Sequence, residues 1–197
     1  MKSGINPSIL IEEIQKYINA NLTADLHSLL LKKSPFAEVS MHEIVQQIKG
    51  KKVAQKKFPF LLRDGIVFPP NLNLEQASSQ PIAEYKAKSL KGKSFLDLTS
   101  GFGIDAYFLS HNFDQVTLVE QNTELLETVK HNWNILGRKA NLINENLENF
   151  LQKNSQKFDL IYLYRYILEA NSYTSISKVD LNVYLVHLAK LMTLRLL

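Results

Sequence analysis

A chain of 197 residues that is 45% hydrophobic and 21% charged has room for one ordinary globular domain plus a small attachment. It has no cysteine, which excludes disulfides, thiolate nucleophiles and cysteine-ligated zinc. No apolar run approaches the roughly 18 residues of a membrane span, and Met1-Lys-Ser-Gly-Ile-Asn-Pro7 lacks the apolar centre of a signal peptide, so a cytoplasmic location without a membrane partner is expected. His27, His42, His111, His131 and His187 stand apart without i, i+4 pairing, and no metal site is expected from them. A net charge of +4 leans weakly toward polyanionic partners.

From Ser8 to about Lys57, apolar residues recur at helical spacing: Ile11, Ile14 and Ile18, then Leu22, Leu26, Leu29 and Leu30, then Ile44, Val45 and Ile48. Three helices fit this pattern. The third opens with Ser40 and Glu43, an S-x-x-E pair able to cap each other's backbone N–H. Pro35 separates it from the second. Lys49, Lys51, Lys52, Lys56 and Lys57 crowd its C-terminal end, where cations suit the helix dipole; a solvated surface is the simpler reading and a phosphate-binding patch the other. Residues 1–62 are thus expected to form a helical N-terminal region, and 63–197 a second domain. Asp64-Gly65 and Pro69-Pro70 punctuate a turn, a short strand over Gly65 to Phe68 and a loop. A helix is expected between Glu75 and Lys88, started or broken at Pro81.

After Lys93 short apolar strands alternate with amphipathic segments: Phe95 to Leu98, Gln115 to Val119, Ala140 to Ile143 and Phe158 to Leu163. This βαβα order predicts an α/β fold with a Rossmann-like parallel sheet. The first strand runs through Asp97-Leu-Thr99-Ser into Gly101-Phe102-Gly103-Ile-Asp105. Glycine suits a tight strand-to-helix turn because it tolerates positive φ and lets a ligand approach the backbone. Glu120 follows at the tip of the second strand, nineteen positions after Gly101, where a carboxylate can accept both ribose hydroxyls of an adenosine.

The same spacing, Gly101-x-Gly103-x-x-Ala106, also satisfies the dinucleotide fingerprint, leaving NAD as an alternative. Asp97 favours a methyl donor, because a carboxylate before the glycines gains from the ammonium of a methionine moiety and nothing from a pyrophosphate. The loop Asn144-Glu-Asn146-Leu147, after the third strand, stands where an amide can read an adenine edge.

Phe95 to Asp105, Val119-Glu120-Gln121, Asn146-Leu147 and Phe158-Asp-Leu-Ile-Tyr-Leu163 together resemble the successive motifs of class I S-adenosylmethionine-dependent methyltransferases. Asp25-Leu-His-Ser-Leu, Lys33-Ser-Pro-Phe36 and Gly65-Ile-Val-Phe-Pro-Pro through Tyr85-Lys86 are similar to the N-terminal part of a bacterial THUMP-like branch related to the RNA cap guanine-N2 methyltransferases. The resemblance implies S-adenosylmethionine as cofactor and RNA as methyl acceptor. It assigns Asp97, Gly101, Gly103 and Asp105 to the methionine end, Glu120 to the ribose and Asn146 with Leu147 to the adenine, and adds Thr99, Phe102 and Gln121 as cofactor-binding residues. Gln76 and Ser79 are weaker candidates for covering the cofactor.

Two departures follow Leu163. Related amino-methyltransferases carry an Asp/Asn-Pro-Pro or similar segment after the fourth strand, to hold the target amine in line with the sulfonium carbon; here Tyr164-Arg165-Tyr166 stands in its place. Only 34 residues remain, whereas one βαβ unit takes roughly 30. A member truncated after its fourth strand is therefore expected, with Ile176 to Leu197 forming one helix. A non-catalytic cofactor- or RNA-binding remnant and an NAD-dependent oxidoreductase fragment are the alternatives.

Overall fold

The computed structural model describes residues 5–69 and 79–163 and, in backbone alone, 185–186. Three helices form at the N-terminus, as the apolar spacing predicts. Asn6 opens a 3-10 turn over Pro7–Leu10 by accepting from the Ser8 N–H at 3.1 Å. Helix α1 follows (Glu12–Ala20), with two glutamates in its first turn and Ile14 and Ile18 on its buried face. Helix α2 (Leu26–Leu30) starts where Asp25 accepts from the Ser28 N–H at 2.8 Å. Helix α3 (Met41–Lys57) has the expected reciprocal cap. The Glu43 N–H donates to Ser40 Oγ at 3.2 Å and the Ser40 N–H to Glu43 Oε2 at 2.7 Å. The helix stops at buried Phe58, where Pro59 begins a second 3-10 turn.

These helices pack one core from Ile9, Ile14, Ile18, Leu29, Ile44 and Ile48, which also takes in Val67. The far end of α3 leaves it: Ala54, with Phe58 and Leu61 just beyond, belongs to the core under the sheet. One helix thus contributes apolar surface to both cores, at about 1.5–3 kcal/mol per fully buried large side chain.

The strand expected over Gly65–Phe68 does not form. The alternation is present, but its backbone partners are side-chain amides rather than a neighbouring strand. Asn132 accepts from the Val67 N–H at 2.9 Å and donates to the Val67 carbonyl at 2.7 Å. From the other side Gln47 accepts from the Phe68 N–H at 2.8 Å and donates to its carbonyl at 2.7 Å. The buried polar groups of this connector are thereby satisfied without a sheet ladder.

Helix α4 (Gln80–Ala87) carries Pro81 in its first turn, where a missing N–H costs nothing; the expected start between 75 and 78 lies outside the described residues. A parallel sheet follows: β1 (Gly92–Asp97), β2 (Phe113–Val119), β3 (Asn141–Ile143), β4 (Leu160–Tyr162) and β5 (Leu185–Val186), in the order β3-β2-β1-β4-β5. Between the first four strands run α5 (Ile104–Leu109), α6 (Thr123–Ile135) and α7 (Leu147–Lys153). Successive strand residues enter opposite layers. Phe95, Leu118 and Leu160 join Val129 and Trp133 on one face; Leu96, Val119 and Ile161 join Phe150 and Phe158 on the other. Both faces are covered, which is why these strands read as nearly continuous apolar runs.

The helix expected over Ile176 to Leu197 lies outside the described residues except at Leu185–Val186, and there the structure corrects it. These two residues lie parallel to β4, Leu185 opposite Ile161 and Val186 opposite Tyr162. A run such as Val183-Tyr-Leu-Val186 suits a strand as well as a helix, and the edge of β4 offers unpaired backbone groups to it.

Candidate functional site

The chain leaves β1 on one side to build β2 and β3, then crosses to the other side for β4. Strand order therefore reverses between β1 and β4, and in open α/β sheets ligands bind outside the carboxyl ends of the strands at such a point. Asp97, the last residue of β1, stands there, opposite Leu118 of β2 and Tyr162 of β4. It is only 1% exposed. Burial pushes its carboxyl up from 3.8 to about 8; the hydrogen bond from the Thr99 N–H at 2.9 Å opposes that rise, and the charges of Asp105 and Glu120 add to it. A buried carboxyl in this state gains by receiving a cation, which would restore the ionised form.

The turn after β1 uses its two glycines differently. Both have positive φ, +53° at Gly101 and +72° at Gly103. At Gly103, which donates to the Ser100 carbonyl at 2.7 Å, a β-carbon would come within 2.8 Å of Trp133 Nε1 and 3.3 Å of Val129. This glycine lets α5 sit against α6. At Gly101 a β-carbon would meet nothing within 4 Å among the described residues, which leave the space above its backbone open to a ligand. Phe102, between them, is buried with its ring 6.2 Å from that of Phe68. Its side chain serves the core. Ser100 is 8% exposed, and its hydroxyl has no hydrogen-bond partner among the described residues.

Glu120, immediately after β2, is fixed from three strand ends. Its carboxylate accepts from the Gly101 N–H at 3.0 Å and from the Asn122 N–H at 2.8 Å, and its own N–H donates to the Ile143 carbonyl at 3.0 Å. Among the described residues one protein donor reaches each carboxylate oxygen, and each oxygen has two acceptor positions. One position per oxygen is left for a pair of ligand hydroxyls. Gln121 is exposed beside it, and Asn122 caps α6 by accepting from the Leu125 N–H at 3.0 Å.

The third loop uses its polar side chains within the protein. Asn146 is the N-cap of α7, accepting from the Asn149 N–H at 2.8 Å, so its side-chain oxygen is engaged by its own helix. Leu147 is half-buried and packs against the face containing Phe150. Asn144 reaches across to the Glu120 loop, a role that residue type and spacing do not disclose. Asp105, in the first turn of α5, is half-buried close enough to Asp97 for their charges to interact. The bonds given above link Asp97 to Thr99 and, separately, Gly101 to Glu120. Ser79 is the N-cap residue of α4 without a side-chain capping bond; Gln76 and the Tyr164-Arg165-Tyr166 segment lie outside the described residues.

Part of the lysine cluster on α3 serves packing. Lys51 donates to Gln15 and Asn19 at 3.2 and 3.0 Å, and Lys52 to the Ala24 carbonyl at 2.8 Å. A concavity of about 890 Å³ lies away from the strand ends, along α6 and the edge strand β3, lined in part by Lys130, His131, Arg138 and Lys139. Among the described residues no group of three or more histidine or carboxylate side chains converges as metal ligands, and no helix is long and apolar enough to cross a membrane.

Residues 80–164 match a family model described as Conserved hypothetical protein 95. No match was found among curated proteins. Among solved structures the chain is similar to a candidate methyltransferase from Porphyromonas gingivalis, with a TM-score of 0.64 and 22% identity over 81% of this chain. The chain spans 41% of that protein's length. An rRNA methylase from Streptococcus thermophilus aligns at 21% identity and a TM-score of 0.36, over 42% of this chain and 51% of its own. A tRNA (uracil-54, C5)-methyltransferase from Pyrococcus abyssi, in complex with S-adenosyl-L-homocysteine, aligns at 20% identity and a TM-score of 0.40, over 49% of this chain and 24% of its own. The fold is the Rossmann-like α/β fold, preceded by helices, that the first of these shares.

Proposed function

We propose that this chain binds S-adenosylmethionine at the carboxyl ends of β1, β2 and β3, as the cofactor-binding part of a methyltransferase acting on RNA. The observation that carries the reading is the state of Glu120. Its carboxylate is held by two backbone N–H groups, 3.0 and 2.8 Å away, with one acceptor position left on each oxygen. A vicinal diol, as in ribose, presents two hydroxyl hydrogens at matching separation. The space that the described residues leave over Gly101 admits a ligand along the turn.

Asp97 supplies the second requirement. The cofactor carries a sulfonium and an ammonium, and the buried carboxyl is the group that a cation would return to its ionised form. NAD would bring a negatively charged pyrophosphate to the same turn, next to Asp97, Asp105 and Glu120, which is why the methyl donor is favoured. When bound, S-adenosylmethionine supplies an electrophilic methyl group on sulfur. Asp97 would hold its methionine end, Glu120 and Gln121 the ribose, and the loop from Asn144 to Leu147 would border the base. RNA as methyl acceptor rests on the resemblance of the sequence motifs to RNA methyltransferases and on the net charge of +4.

Calorimetric titration with S-adenosylhomocysteine, with NAD as control, tests the reading. Saturable binding of the first alone is expected, and Glu120→Ala should weaken it by about tenfold to a hundredfold, the loss of one or two charge-assisted hydrogen bonds. Binding of NAD instead, or an unchanged affinity in Glu120→Ala, would overturn it.

A further inference from the structure

Asn144 commits both amide N–H groups and one acceptor position of its oxygen to the neighbouring loop. Its Nδ2 donates to the Glu120 carbonyl at 2.9 Å and to the Gln121 carbonyl at 3.1 Å, and its Oδ1 accepts from Thr123 Oγ1 at 2.7 Å. The orientation of the amide follows from its partners, since two carbonyls require a donor and the hydroxyl takes the oxygen. With the bond from the Glu120 N–H to the Ile143 carbonyl at 3.0 Å, the last residue of β3 and the residue after it grip both polar groups of the Glu120 backbone. The two bonds of the Glu120 carboxylate close the arrangement. Loops from three strands therefore meet on one residue.

We infer that Asn144 is a positioning residue, which sets the ribose-binding carboxylate of Glu120 while its own amide makes no contact with the ligand. The inference rests on the S-adenosylmethionine reading of the site. Its physical basis is that a carboxylate contributes to binding only if held within a fraction of an ångström of its partners, and residues one shell out do the holding. The bond to Thr123, the first residue of α6, extends the brace to the helix whose cap is Asn122. Rotation of the 120–122 loop would break bonds at both ends.

Asn144→Asp is the informative change, because it keeps the shape and the acceptor for Thr123 but turns the donor toward two carbonyls into a second acceptor. Affinity for S-adenosylhomocysteine should fall about tenfold, the scale of coupling within one hydrogen-bonded network. In a Glu120→Ala background the same change should cost less than about twofold, since the carboxylate it positions is gone. A 2′,3′-dideoxyribose analogue of the ligand should likewise bind wild type and Asn144→Asp equally well. Three outcomes overturn the proposal: unchanged affinity in Asn144→Asp, an equal loss in the Glu120→Ala background, or an equal loss with the dideoxy analogue. Wild-type protein that fails to bind S-adenosylhomocysteine overturns the reading of the site itself, and is recognised before any variant is measured.

Discussion

Exchanging Asp97 for asparagine preserves its size and the acceptor that meets the Thr99 N–H at 2.9 Å, and removes only the capacity to ionise. In the native protein, burial together with Asp105 and Glu120 outweighs the Thr99 hydrogen bond and holds the carboxyl near 8 instead of 3.8. Below pH about 4 it is protonated in both the folded and the unfolded chain and costs nothing. As pH rises above that, the unfolded chain ionises while the folded chain does not. Stability is therefore lost progressively until the folded value near 8, beyond which the loss is constant. Each pH unit within the window costs about 1.4 kcal/mol, so three units, to pH 7, set an upper bound of about 4 kcal/mol.

Water entry and local relaxation reduce such bounds, and about 2 kcal/mol at pH 7 is the working figure. In a chain of this size that corresponds to a melting temperature roughly 4–8 °C higher for Asp97→Asn. The assay is thermal unfolding of both proteins, followed by circular dichroism at whole pH units from 5 to 8. The gap should widen steadily with pH, from about a third of its pH 7 size at pH 5. A gap that does not change across the series refutes the burial argument. The same variant should lose affinity for S-adenosylhomocysteine while gaining stability.

Gly103→Ala should destabilise by about 2–4 kcal/mol in denaturant titration, since left-handed backbone and the contact with Trp133 at 2.8 Å act together. Gly101→Ala, with open space around the new methyl, should cost only about 1–2 kcal/mol yet abolish ligand binding calorimetrically if the cofactor lies over that turn. Gly50→Ala should lower stability despite a helix-propensity gain of about 1 kcal/mol, because the added carbon would overlap the Phe68 side chain; a raised melting temperature would show that α3 and the 65–69 segment are not in contact. Asn132→Leu strands the Val67 N–H and carbonyl and should cost about 2–4 kcal/mol by the same titration.

What the sequence disclosed was decided over short distances along the chain. The Ser40–Glu43 cap, the turn through Gly101 and Gly103 and the acidic residue at the end of β2 each declare themselves within a few residues or one βαβ unit, and all stand where the spacing puts them. The failures involve partners far away in sequence. Gly65–Phe68 carries a strand's alternation, but Gln47 and Asn132, 21 and 65 residues distant, supply its hydrogen bonds, and no local pattern distinguishes an amide partner from a strand. Asn144 has the residue type of a base reader; its attachment to Glu120 depends on how β2 and β3 pair. At β5, Val183-Tyr-Leu-Val186 suits either periodicity, and the edge of β4 decides.

The amide-clamped connector also fixes which residue goes to which core. Ile66 and Phe68 enter the layer beneath the sheet, while Val67 between them enters the helical core. Two hydrophobic interiors are thus addressed in alternation by three consecutive residues, with carboxamides on either side reading the backbone at fixed positions. One residue inserted or deleted here would send each side chain to the wrong address and present Asn132 and Gln47 with displaced peptide groups. Substitutions of similar volume should pass through this segment in evolution far more readily than any change in its length.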